Sequence, residues 1–185
     1  MFPAVLFYTF REMEHTITPE FTSKLTQMTL LSQQYRGIII NEATRVESLI
    51  EDIICRYFTN KDNKKHLELM HVLIGTEKIS FSVKEVVLRF IIENAFPQFD
   101  KENGFLKKGI SQVIKFRNIV AHKKFAQTYE DVMRFDGTTI FLKGWQTEEN
   151  KISLKPFELN RTIVNENYQL MIKIDKSLRE LQGLI

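Results

Sequence analysis

Lys115 to Phe125 reads KFRNIVAHKKF, and three of its side chains carry the groups that phosphate chemistry requires. Arg117 presents a planar fork of donors that stays charged and matches phosphate oxygens two at a time. His122 titrates near neutrality, so it can take up or return a proton. Asn118, directly after the arginine, can donate to a phosphate oxygen or hold the imidazole in one orientation. Lys115, Lys123 and Lys124 surround the three, and Lys107 and Lys108 precede them. From Asn103 to Tyr129 the chain has no acidic residue. A local field of one sign points to a polyanionic ligand better than the net charge of +3 does.

The helical phase of Arg117 is unusual. With Leu106 at zero and ~100° per residue, Ile110, Val113, Ile114, Val120 and Ala121 fall within about 80° of it and form an apolar stripe. Arg117 lands near the middle of that stripe. A buried guanidinium needs an anion, because it cannot shed its charge. One candidate is internal: Glu42 falls inside the apolar arc of the Ile38–Phe58 segment, with Glu47 and Glu51 at its flanks. A Glu42–Arg117 ion pair would make the arginine a structural residue. The other candidate is an external phosphate. Asn118 and His122 share a face some 100–140° from Arg117, so on a straight helix Arg117 and His122 do not meet well. That geometry favours a site shared between two copies of the chain.

Arg117-Asn118-Ile119-Val120-Ala121-His122 resembles the R-x(4–6)-H motif of the HEPN superfamily, including the polar residue favoured after the arginine. VESLIEDIICRYF, Val46 to Phe58, also looks like the long early helix of such domains. The resemblance covers roughly residues 38–125 and the last helix. It implies a metal-independent endoribonuclease acting as a homodimer with a shared active-site cleft, in a toxin–antitoxin or abortive-infection setting. RNA is then the substrate, no cofactor is needed, and an antitoxin or other protein is a further expected partner. Arg117 would stabilise the phosphorane, His122 would serve as acid or base, and Asn118 would orient. The lysines would hold the RNA backbone. Other members of the superfamily are non-catalytic binding modules, the alternative in which Arg117 is a structural ion-pair residue. A variant of the motif continues as H-x-Y; here Lys124 occupies that place, so its tyrosine-based regulation is not carried over.

The elements that must position these residues read as mainly α. Thr18-Pro19-Glu20 predicts a helix start, with Phe21, Leu25, Met28 and Tyr35 at helical spacing and Gly37 marking an end or a bend. Ile39, Ala43, Val46, Ile50, Ile53, Ile54 and Tyr57 share one arc of the next helix. Thr59 to Lys65 reads as a loop, and His66 to Ile74 as a short helix. Ser80 or Ser82 caps another helix, with Val83, Val86, Val87, Phe90 and Ile91 expected to face inward. The motif helix should start near Glu102. Val132 to Phe135, Asp136-Gly137 and Thr138 to Lys143 then predict a hairpin with a type I′ turn. Ile152-Ser153-Leu154 adds a third strand, which Pro156 confines to an edge. Val164, Tyr168, Met171, Ile174, Leu178 and Leu181 mark the last helix. The expected fold is one domain over 1–185, an HEPN-like antiparallel helical bundle with a small β-hairpin or meander before its final helix. Its parts are an N-terminal arm and helix (1–37), core helices with the motif (38–125), the β insertion (129–157) and the C-terminal helix (162–183).

Composition narrows the classes further. With 185 residues, 43% of them apolar and 26% charged, the chain has an ordinary globular make-up and can bury a core without staples. Cys55 is the only cysteine, so a disulfide framework is excluded. MFPAVLFYTF lacks the basic flank of a signal peptide and reads as a packing arm; no apolar run is long enough to span a bilayer. The expected compartment is the cytoplasm. Nucleotide-binding glycine loops, a nucleophile elbow and paired cysteines are all missing. His66 and His71 are five positions apart and do not share a face, so no zinc site is expected. Trp145, Phe141 and Lys143 are more suited to packing the hairpin on the bundle than to stacking a base.

Overall fold

The computed structural model describes residues 18–185, apart from 61, 77, 126, 127, 144, 149, 150 and 155 and the side chains of 144–155. The expected packing arm (residues 1–17) and Trp145's side chain lie outside the described residues. The fold is a helical bundle with a small antiparallel sheet, as the periodicities imply.

Helix α1, Pro19–Thr59, is the spine, a single helix of 41 residues. It starts where the cap residues place it: Thr18 Oγ1 accepts from the Phe21 amide at 3.2 Å, with Pro19 in the first turn. It ends at Asn60, whose φ of 47° is the left-handed conformation that closes helices. Gly37 does not end it, contrary to expectation. Neither a proline nor a cap residue follows Gly37, and apolar periodicity continues on both sides of it. One glycine costs only about 1 kcal/mol of helix propensity, which packing along the helix overrides.

The expected loop from Thr59 to Lys65 is shorter, because Asp62 caps helix α2, Asn63–Leu69, by accepting from the Lys64 and Lys65 amides. A single π-helical turn, Met70–Ile74, continues it. Helix α3, Phe81–Ala95, is capped by Ser80. A short helix α4, Pro97–Glu102, leads into α5, Leu106–His122, which carries the motif. The last helix, α7, Arg161–Leu184, buries Val164, Met171, Ile174, Leu178 and Leu181 as its spacing predicts, while Tyr168 is half-buried. Helix α1 packs against α3, α5 and α7, and α5 packs against both α3 and α7. Gly109 allows that last approach, since a Cβ there would stand 3.3 Å from Ile174 Cδ1. Cys55 is buried in the core, and burial, helped by Asp52 and Glu51, pushes its thiol up to about 11.

Helix α3 is rotated from the face expected: Ile91 is buried and Val87 packs partly against the core as expected, but Val83, Val86 and Phe90 are not inward. Its buried residues are Phe81, Lys84, Glu85, Leu88, Ile91 and Ile92, while Val83, Val86 and Phe90 are 51%, 55% and 57% exposed. The reason is electrostatic as well as apolar. Lys84 Nζ reaches Glu47 Oε1 at 2.7 Å and Glu51 Oε1 at 2.5 Å on α1. This satisfied ion triad lets a charged residue enter the core face and releases the valines to the surface.

The β insertion also departs from expectation. Tyr129–Met133 is a short helix, α6, so Val132 to Phe135 is not the strand expected before the Asp136-Gly137 turn. Thr128 caps that helix, which satisfies local amides that a hairpin would otherwise pair. Asp136 Oδ1 instead accepts from the Thr138 and Thr139 amides at 2.8 Å each, and Gly137 takes the positive φ of 88° in the turn. Strand β2, Ile140–Lys143, pairs with β1, Lys124–Phe125, on one side and β5, Phe157–Leu159, on the other. Strands β3, Trp145–Glu148, and β4, Lys151–Leu154, form a separate hairpin, so Ile152–Leu154 is a strand with a different neighbour.

Asp131 Oδ2 on α6 receives Lys143 Nζ at 2.5 Å and is also bonded to the Thr128 hydroxyl. Burial pushes the Asp131 carboxyl upward, but the Lys143 and Thr128 hydrogen bonds outweigh it and hold the group below its usual value. A depressed carboxylate stabilises the fold above its unfolded pKa, about 3.9, and that contribution is lost as pH falls through the lower folded value. Asp131→Asn is therefore expected to melt below wild type at neutral pH, with the two curves converging as pH drops below about 4. Thermal melts across that range measure the convergence.

No helix among the described residues is long and apolar enough to cross a membrane.

Candidate functional site

The C-terminal half of α5 lies against α3, and between the two helices runs a groove of about 560 Å³. Asn118 and His122, four residues apart, both line it, with Lys115 and Lys123 beside them and Ser82 and Glu85 on the α3 wall. The expected shared face of Asn118 and His122 is thus present and solvent-accessible. The apolar stripe of α5 is largely as expected: Leu106, Ile110, Val113, Ile114 and Val120 are buried, joined by Phe116, while Ala121 is only half-buried.

Arg117 is only half-buried, although it falls in that stripe. It sits near the end of α5, where its long side chain can emerge from the bundle. Its Nη1 donates to Asn118 Oδ1 at 3.1 Å, and no carboxylate pairs with it among the described residues. The expected Glu42–Arg117 pair is absent. Glu42 Oε2 instead lies 2.9 Å from Arg45 Nη2, one turn along its own helix, and lines a different cleft, with Tyr35, Thr138 and Arg161. The other two candidate carboxylates, Glu47 and Glu51, are committed to Lys84. Each of these glutamates has a cation closer in its own packing environment, which helical phase alone does not reveal.

The lysines divide into two groups. Lys115 and Lys123 line the groove, and Lys124 is exposed on β1 immediately after it. Lys107 and Lys108 lie in the first turns of α5, ~20 Å along the helix from His122 at 1.5 Å per residue. Lys107 is also held by Glu93 Oε1 at 2.8 Å and Asp100 Oδ2 at 3.2 Å, and those carboxylates keep its ammonium above the ordinary range. Neither residue belongs to the groove.

Two residues that pattern reading missed help to build the site. Arg36 on α1 donates from Nη2 to the Lys123 carbonyl at 2.8 Å, capping α5 where the motif ends. Strand β1 then anchors the chain beyond, with Lys124 opposite Lys143 and Phe125 opposite Leu142. His122 therefore projects from a helix end held on two sides. The second is Glu85, which brings a buried carboxylate to the groove wall. Its only signal was the pair Lys84-Glu85 set between Val83 and Val86 in the first turns of α3. His66 lies against Asp52, with Nε2 3.3 Å from Oδ1. Lys143 is occupied by Asp131, and Phe141 is half-buried.

No family model, no curated protein and no solved structure matches this chain.

Proposed function

We propose that this protein is a metal-independent endoribonuclease of HEPN type, acting as a homodimer in a toxin or defence setting. One observation carries the reading: Arg117, half-buried and met by no carboxylate among the described residues, donates to the exposed Asn118, and Asn118 lines a groove with His122 and two lysines, although Arg117 itself is not part of the lining. A permanent cation held this way has its affinity reserved for an anion from outside, and a phosphodiester matches its fork. The same finding disfavours a purely structural arginine, because the ion pair that role requires is not formed.

The chemistry follows from the residue types. A base removes the proton of a ribose 2′-hydroxyl, and the oxygen attacks the adjacent phosphorus. The P–O5′ bond breaks, and an acid protonates the departing 5′-oxygen. The products are a 2′,3′-cyclic phosphate and a free 5′-hydroxyl. His122 can perform either proton transfer, and Arg117 neutralises charge that develops on the phosphorane oxygens. One imidazole cannot do both at once, so two copies of the motif complete the cycle. DNA lacks the nucleophile and is not cut.

The stripe of Val83, Val86 and Phe90 borders the groove, since Ser82 and Glu85 of the same helix line it. These three side chains lie within about 60° of one another on the outer face of α3. We place the second copy on this stripe, which would bring two grooves together. Phe90→Asp is expected to give a monomer in light scattering and to lose cleavage in parallel, with the melting temperature little changed because Phe90 is exposed. An unchanged mass would remove this interface.

The enzyme itself is tested by incubating the protein with RNA in EDTA and analysing the ends. Cyclic phosphate termini that depend on His122 are the expected result; equal cleavage by wild type and His122→Ala would end the assignment.

A further inference from the structure

His122 is the last residue of α5, so where that helix stops decides where the imidazole stands. Lys123 follows with a φ of −73° and a ψ of 137°, an extended conformation that turns its carbonyl out of the helix. Arg36 on α1 takes that carbonyl, donating from Nη2 at 2.8 Å. At the same time its Nε donates to Ser32 Oγ at 3.2 Å, one turn back along α1, and Ser32 is 4% exposed. A guanidinium that donates in two directions is fixed in orientation as well as in place. Strand β1 secures the chain from Lys124 onward, so the Lys123 carbonyl is the joint between the motif helix and that strand. Helix ends fray where no such anchor holds them.

The charge of Arg36 is not answered by the fold. The side chain is half-buried, its acceptors are a carbonyl and a hydroxyl, and no carboxylate pairs with it among the described residues. Burial pulls its pKa below the ordinary arginine value. Partly burying a permanent cation without a counter-ion costs stability, and a neutral donor could hold one carbonyl at less cost. We infer that Arg36 is a positioning residue for RNA cleavage, setting the place of His122 through the Lys123 carbonyl. The inference rests on the ribonuclease reading. Arg36 is not part of the groove lining, so its effect falls on proton transfer and not on RNA binding. A shift of about 1 Å at a reacting group costs up to about 100-fold in rate, which sets the scale of the effect.

Arg36→Ala is expected to lower kcat on RNA by about 10- to 100-fold and to leave KM little changed. Arg36→Lys keeps a cation but has a single terminal nitrogen, which cannot serve Ser32 and Lys123 together, so its rate should lie between those of Arg36→Ala and wild type. Ser32→Ala frees the guanidinium without removing it and should lower kcat by less. These two milder variants carry the test if Arg36→Ala does not fold. Methylguanidine added to folded Arg36→Ala should restore part of the lost rate, a response that a purely structural residue would not give. NMR reads the positioning without any reaction: the His122 ring signals, identified by their loss in His122→Ala, should shift in Arg36→Ala. Wild-type kcat in the folded variants, with those signals unmoved, overturns the positioning role and leaves the ribonuclease. A raised KM with kcat unchanged would put Arg36 on the RNA and also overturns it. No cleavage by wild type ends the ribonuclease reading; shifted His122 signals in Arg36→Ala would still uphold the anchoring, and unmoved signals would end both.

Discussion

His122→Ala is expected to lower RNA cleavage by about 10²–10⁴-fold, the usual contribution of a positioned acid or base. Stability should change by no more than about 0.5 kcal/mol, because the side chain is solvent-exposed on the last turn of α5 and has no hydrogen-bond partner among the described residues. Those two results together separate a catalytic histidine from a structural one. Arg117→Lys makes a complementary test. It keeps the charge but loses the planar fork and the Nη1 bond to Asn118, so cleavage should fall although the net charge is unchanged. Asn118→Ala should fall less, since it removes the orienting acceptor and not the cation. The RNA should also bind less tightly as salt rises, because the exposed Lys115 and Lys124 release counterions from the phosphates they contact. A cleavage rate indifferent to His122 or a binding constant indifferent to salt would count against this site.

The largest expected effect on stability lies elsewhere, at Lys84. This ammonium is 4% exposed and sits between Glu47 and Glu51 on consecutive turns of α1. Lys84→Ala leaves the two carboxylates on one helical face with the shared cation gone. Breaking a buried pair in this way costs about 3–5 kcal/mol, a large part of the stability of a small domain. The melting temperature should drop by many degrees. Replacing all three with apolar residues, Lys84→Met with Glu47→Leu and Glu51→Leu, should recover most of the loss, because the penalty comes from orphaned charge and not from lost contacts. Burial alone would pull the Lys84 pKa down; the hydrogen bonds it donates to Glu47 and Glu51 overcome this and raise the value. A raised lysine pKa stabilises the fold fully below the unfolded value of about 10.4, and the contribution is lost as pH rises through the folded value. Wild type should therefore weaken above about pH 10.4, and Lys84→Ala should not share that decline. Denaturant melts at neutral and alkaline pH measure both effects. A full-strength Lys84→Ala protein would mean that the triad contributes nothing.

What the sequence determined alone is whatever depends on neighbouring residues. Thr18-Pro19 starts α1, Ser80 caps α3, and the spacing in α5 and α7 marks their buried faces, because a helix is built from contacts three and four residues apart. The pairing of Asn118 and His122 on one face was legible for the same reason. Tertiary structure decided everything that depends on a distant partner. In α3 more than one face was apolar enough to be the core, and Glu47 and Glu51, more than thirty residues away, hold the buried face at Lys84, leaving Val83, Val86 and Phe90 outside while Ile91 stays in. The Asp136-Gly137 turn was recognisable, but which strands pair around β2 was not, because strand pairing is a long-range choice. Helical phase placed Arg117 in the stripe, yet the end of α5 let it emerge, and Arg45 took the carboxylate meant for it. The convergence of Glu85 and Lys123 on the motif groove likewise needed the packing of α3 on α5. A wheel reports direction along one axis, whereas a site is made where two axes meet.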